Sequence, residues 1–198
     1  TLSLVAGIIA ILLYVPLCVQ VLSGKVKQNF ATWVLWATLD GIVAATIIFQ
    51  GGSFLLPAAY SLGSAAVTLS ILKSKNFKWT WFETMVACLV VACVVVWVVS
   101  GAKVATVAST LAVMIAGVPQ SIEAYKKPHE QPFLIYVGFL VANSLATAGA
   151  KNWSIEERFY PASMTLLTIA VVLFIARKLW SKIVLFVSRM FGPKSRSA

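Results

Sequence analysis

Long apolar runs separated by short polar breaks make up almost the whole chain. Seven of them reach roughly the ~20 residues that a helix needs to cross bilayer hydrocarbon. They run from Leu2 to Leu22, Ala31 to Phe49, Phe54 to Leu72, Trp79 to Val99, Val104 to Tyr125, Phe133 to Ala150 and Phe159 to Ala176. Each predicts a membrane-spanning α-helix. The first run has no basic leader or small-residue cleavage site and shares in the repeat below, so it is expected to stay in the protein as a span. The missing initiator Met implies that a few residues precede Thr1.

Two of the runs carry a proline far inside, at Tyr14-Val15-Pro16-Leu17 and at Gly117-Val118-Pro119-Gln120. A proline there removes one backbone hydrogen bond and kinks the helix. Its double use leads to a longer repeat. A shift of 103 residues pairs Val15 with Val118, Pro16 with Pro119, Gln28 with Gln131, Phe30 with Phe133, Val34 with Val137 and Ala45 with Ala148. After one inserted residue, a shift of 104 pairs Pro57 with Pro161, Leu62 with Leu166, Val67 with Val171, Leu69 with Leu173 and Ile71 with Ile175. A duplicated unit is the reading. The fourth run has no counterpart. Two three-helix units joined directly would be inverted, whereas one added span makes them parallel. The predicted fold is therefore an all-α integral membrane protein of seven transmembrane helices, two parallel three-helix repeats joined by a linker helix. Residues 1–73 form the first repeat, 74–101 the linker, 102–178 the second repeat, and 179–198 a basic cytoplasmic tail that can lie in the membrane interface.

Composition agrees, with 60% hydrophobic and 11% charged residues and a mean hydropathy of +0.92, far from a soluble domain. The net charge of +10 changes the picture only through its distribution. Lys25, Lys27, Lys73, Lys75, Lys78, Lys126, Lys127, Arg177, Lys178, Lys182, Arg189, Lys194 and Arg196, 13 of the 16 Lys and Arg, fall on one side of the seven spans; Lys103, Lys151 and Arg158 fall on the other. The positive-inside rule then puts the N-terminus outside and the C-terminus in the cytoplasm, in a cytoplasmic membrane of prokaryotic type, and explains the charge without nucleic acid. Cys18, Cys88 and Cys93 lie in apolar runs at spacings that suit neither a disulfide framework nor a metal. Trp33 and Trp36 are expected near the inner interface, where aromatic rings anchor.

Candidate chemistry centres on Asp40, the acidic residue expected near a bilayer midplane, and on Asn143, which the repeat places at the equivalent position. An acid in hydrocarbon is costly unless neutralised or paired, and usually faces a cavity. A structural hydrogen bond within the bundle, to Asn143 for instance, is the alternative. Tyr60, Ser61, Ser64, Thr165 and Thr168 are candidates to line the same cavity, against the alternative that such hydroxyls bond their own backbone. The sole histidine, His129, is expected in solvent, and Glu83 near the inner end of the fourth run. No nucleophile with a histidine partner, metal spacing or phosphate loop stands out, so neither an enzyme nor a cofactor is expected.

The paired prolines, the Pro119-Gln120 motif and the three-plus-one-plus-three pattern resemble the SWEET and PQ-loop transporter superfamily over nearly the whole chain through Arg177. The first copy of the motif is Pro16-Leu17 here. The resemblance implies alternating access by rocking of two triple-helix bundles around a midplane site, with Pro16, Pro119 and Gln120 at hinges near the inner gate. Sugar carriers of that superfamily resemble one another in an Asn pair on the third and seventh helices and Trp on the second and sixth at the pocket. This chain has no Asn on the third or seventh run, its second-run Trp33 and Trp36 are expected near the inner interface, and the sixth run has no Trp before Trp153 at the outer end, which argues against a sugar. The expected function is transport of a small polar solute, by uniport or by proton symport through Asp40, with the lipid bilayer as surroundings and homo-oligomers left open. The alternative is a receptor or interaction protein that binds a ligand or peptide without moving it.

Overall fold

The computed structural model describes residues 2–26, 28–74 and 81–191. Lys27, Lys75, Lys78, Trp79, Gly192, Pro193, Lys194 and Arg196, and the side chains of Glu83, Lys178, Lys182 and Arg189, lie outside what is described. The elements are α1 (Leu2–Leu22), α2 (Phe30–Phe49), α3 (Leu55–Lys73), α4 (Trp81–Lys126), a 3-10 turn (Pro128–Glu130), α5 (Phe133–Ala148), a π turn (Ile155–Phe159) and α6 (Tyr160–Phe191). The described residues contain no strand. Among the described residues, five helical stretches are long and apolar enough to cross a membrane, Leu2–Leu22, Phe30–Phe49, Leu55–Lys73, Cys88–Lys126 and Ile155–Arg177, while Phe133–Ala148 is apolar but shorter. The protein is an all-helical integral membrane protein. Its outward side chains fit that solvent, with Leu12, Val15, Leu62, Leu134 and Leu166 all exposed.

Local signals account for the element ends. The Asn29 side chain caps α2 by accepting from the Thr32 backbone N–H at 3.0 Å, which satisfies one donor that the first turn would leave free. Pro57 falls in the first turn of α3, where its missing N–H breaks no helical bond. Pro16 and Pro119 sit inside α1 and α4. They withdraw the amide donors that the carbonyls of Leu12 and Ile115, one turn earlier, would otherwise accept.

The fourth and fifth apolar runs of the sequence form one stretch, α4, broken at Gly101, whose φ of 82° and ψ of 173° are non-helical. That φ suits glycine, because a Cβ would strain it. Eight residues to either side of the break, the Cys93 thiol lies beside the Ser109 hydroxyl. In a straight helix those residues would be about 24 Å apart, so the chain doubles back at Gly101 into two packed arms, 81–100 and 102–126. α6 runs on without a break to Phe191, past Ala176, where the apolar pattern ends its span.

Packing follows a regular order. α3 lies between α1 and α2 and packs on both, and α6 lies between α5 and α4. The two groups meet where α1 packs on α5 and α2 on α4. One kind of contact recurs in both groups. A Cβ on Gly63 of α3 would run into the Tyr14 ring of α1, and a Cβ on Gly117 of α4 would run into Leu167 of α6. Tyr14 is 103 residues before Gly117 and Gly63 is 104 before Leu167, so the two contacts fall at positions related by the sequence shifts, with large and small partners exchanged. Each arrangement conserves the filled volume, which is what a packed interior tolerates.

Candidate functional site

A cavity of about 40 Å³ lies where the two groups of helices meet, room for roughly three waters. Its walls come largely from positions that the repeat makes equivalent: Trp33 and Tyr136, Trp36 and Phe139, Tyr14 and Gly117, and Tyr60 and Met164, with Asp40 among them. Aromatic side chains make up close to half of the described walls: Tyr14, Trp33, Trp36, Tyr60, Tyr136 and Phe139. Tyr14 and Phe139 have ring centroids 5.0 Å apart, Phe139 and Tyr60 5.6 Å, and Tyr14 and Tyr60 6.0 Å, in the edge-to-face and tilted geometries that aromatic quadrupoles favour.

Asp40 and Asn143 are both fully buried, at 1% and 0% exposure, and each is held by a tyrosine from the other group of helices. The Tyr160 hydroxyl, at the start of α6, donates to Asp40 Oδ1 at 2.8 Å. The Tyr60 hydroxyl, on α3, donates to Asn143 Oδ1 at 2.7 Å. The two bonds cross, since Asp40 is on α2 and Asn143 on α5, and the two tyrosine rings meet edge to face at 6.4 Å. Asn143 is saturated further: its Nδ2 donates to Thr168 Oγ1 at 2.8 Å and to the Met164 carbonyl at 3.3 Å. Asp40 is not. No bond from a described residue reaches its Oδ2, and the ion pair found among the described residues, Lys127 with Glu130 at 3.7 Å, is exposed at the end of α4.

The other candidates divide. Thr168 lines the cavity. Ser64 is fully buried behind it, 3.4 Å from the Tyr14 hydroxyl. Ser61 and Thr165 turn away and bond backbone, Ser61 Oγ donating to the Ala37 carbonyl at 2.7 Å and Thr165 Oγ1 to the Pro161 carbonyl at 2.8 Å; neither lines the cavity. Pro16 is exposed and Pro119 half-buried, both outside the lining. Gln120 lines it and is tied by its Nε2 to Gln131 Oε1 at 2.8 Å. In the first copy Leu17 replaces that glutamine, and Gln28, the counterpart of Gln131, instead accepts from Trp33 Nε1 at 2.9 Å. His129 is exposed.

Trp33 and Trp36 differ from expectation. They are buried rather than interfacial, and Trp36 Nε1 donates to the Val113 carbonyl at 3.2 Å. Their apolar bodies complete the cavity wall, and their N–H groups find partners inside the protein. Asp40, likewise, has Tyr160 as its partner and not Asn143. Tyr160 had no signal, because its repeat position is Leu56. The lining role of Trp33 and Trp36 was signalled by their pairing with Tyr136 and Phe139, which lie two turns and one turn before Asn143. Among the described residues no three His, Cys, Asp or Glu side chains converge on a metal-sized site. No protein-family model, curated protein or solved structure matches this chain.

Proposed function

We propose that the protein moves a small polar solute across the membrane by alternating access between two parallel triple-helix bundles of the SWEET and PQ-loop kind. In this reading α1 to α3 form one bundle, the 102–126 arm of α4 with α5 and α6 the other, and the 81–100 arm is the linker that makes them parallel. The reversal at Gly101, the intercalated third helix in each group and the exchanged Tyr14–Gly63 and Gly117–Leu167 contacts support it. The N-terminus is placed outside and the basic loops in the cytoplasm, by the charge distribution.

The observation that carries the function is the cavity itself. It sits on the boundary between the bundles, and a buried acid is bonded across that boundary. A site so built is remade whenever the bundles rock, which is how a midplane site is presented to each side in turn. A binding protein with no transport role has no need for the site to straddle two mobile halves.

In proteoliposomes the purified protein is expected to give saturable solute uptake. Pro16→Ala and Pro119→Ala each restore a helical bond, stiffen a bundle at its inner end, and lower turnover by more than they alter the half-saturating concentration. Unchanged turnover in both variants would leave the prolines as packing features. Saturable binding without flux would replace transport by the receptor reading.

A further inference from the structure

Asp40 meets the cavity without a basic partner. The titratable groups around it are all tyrosines: Tyr14 from α1, Tyr60 from α3, Tyr136 from α5 and Tyr160 from α6. From α4 the cavity receives Gly117 and Gln120, and from α2 itself Trp33 and Trp36, none of which titrates near neutrality. A buried carboxylate needs a neutralising partner. With no Lys, Arg or His among the described residues of the wall, that partner comes from the cavity, and two things fit: a proton or a cation.

The rest of the wall favours a cation with N–H donors as the solute. Aromatic faces attract positive charge, and the rings of Tyr14, Trp36, Tyr60 and Phe139 stand in the wall beside the apolar Met164, Leu167 and Val171. The spare polar capacity is mostly accepting. Asn143 has all its groups engaged, whereas Asp40 Oδ2 receives no bond and the buried Oε1 of Gln120 has no partner. The Tyr136 hydroxyl, also without a partner, accepts as readily as it donates. A neutral polyol would find few donors to meet it.

We propose that the cavity binds a small protonated amine in competition with a proton at Asp40. The exchange is balanced: the neutral carboxylic acid releases its proton as the alkylammonium ion arrives, leaving a carboxylate paired with the ammonium. One carboxylate holds one partner at a time. Resting on the transport reading above, this makes the protein an exchanger, amine moving one way and proton the other, in place of the uniport or proton symport expected from the sequence.

The test uses the intact protein in detergent micelles, with ethylammonium as the probe and 1-propanol as a neutral molecule of similar size. Tryptophan fluorescence follows binding at Trp33 and Trp36, and a pH electrode in weak buffer follows proton release. Ethylammonium is expected to bind saturably, to release protons, and to lose affinity by about tenfold per pH unit once Asp40 is protonated; 1-propanol gives neither signal. Asp40→Asn lowers affinity at least tenfold and abolishes proton release, Asp40→Glu keeps both, and Trp36→Leu weakens binding roughly threefold or more. No binding, equal response to 1-propanol, or binding without proton release at any pH from 5 to 8 would overturn the proposal, whatever the fate of the variants. Binding with proton release but no flux in liposomes would keep the amine site and remove the transport reading. Saturable flux of a neutral solute that ethylammonium does not inhibit would do the reverse.

Discussion

Asp40→Asn is expected to abolish solute accumulation driven by a pH gradient while leaving the protein folded. Asn keeps an acceptor oxygen at the Oδ1 position, so the Tyr160 hydroxyl, 2.8 Å away, retains its partner, and the amide nitrogen takes the place of Oδ2 toward the cavity. The neutral amide stands in for the neutral carboxylic acid, so the change adds no charge-burial cost at a site without a described basic partner. Thermal stability should therefore stay within about 1 kcal/mol of wild type or rise. Function moves the other way. A carrier coupled to one proton sustains up to about a tenfold solute gradient per pH unit, and the variant should sustain none, while facilitated equilibration continues. Gradient-driven accumulation that survives Asp40→Asn would sink the coupling role. A large loss of stability would make Asp40 an anchor of the bundle instead.

Asn143→Leu should do the opposite. The side chain accepts from Tyr60 and donates to Thr168 and Met164 at 2.7 to 3.3 Å, all in a fully buried setting. An apolar replacement of similar size leaves the Tyr60 hydroxyl without its acceptor inside the protein. It also frees an acceptor face on Thr168, whose own proton stays bonded to the Met164 carbonyl at 2.6 Å. Orphaned buried groups cost about 1–3 kcal/mol each, so a destabilisation of roughly 3 kcal/mol is expected. Thermal unfolding in micelles measures it. Tyr60→Phe with Asn143→Leu removes both ends of one bond and should be less damaging than the single changes added together. Strict additivity would mean that the bond between α3 and α5 is not formed in solution.

The two substitutions also mark what could be read from the chain. Long apolar helices were legible because they follow from the spacing of apolar runs and polar breaks, and the repeat was read from the proline pairs, Gln28 with Gln131, and one inserted residue. The positions of Asp40 and Asn143 followed from that spacing, and both proved buried at the boundary between the two helix groups. Their partners did not follow, because a partner depends on which side chain a neighbouring helix brings up. Tyr160 reaches Asp40 from a position one turn before the counterpart of Tyr60. Trp33 and Trp36 were misplaced for a related reason. A tryptophan near the end of an apolar run has the composition of an interfacial anchor, and the repeat pairing with Tyr136 and Phe139 was the one sequence signal against it, while contacts with Tyr14 of α1 and Val113 of α4 make the pair a wall. Thr165 fell to the local competitor, the Pro161 carbonyl one turn back, and Ser61 to the Ala37 carbonyl of the neighbouring α2.

Rocking of two bundles is the central claim, and its most direct test needs no knowledge of the solute. In a background with Cys18, Cys88 and Cys93 replaced, spin labels at Ser23 and Lys126 report the end of the repeats that carries the basic loops. Labels at Phe49 and Asn152 report the other end. Each pair is related by the 103-residue shift. Pulsed electron–electron distance measurements in liposomes between pH 5 and pH 8 should show two populations at each end. As one pair lengthens the other should shorten, with Asp40→Asn holding both in fixed proportion. A single distance at each end, unmoved by pH and by ethylammonium, would contradict alternating access.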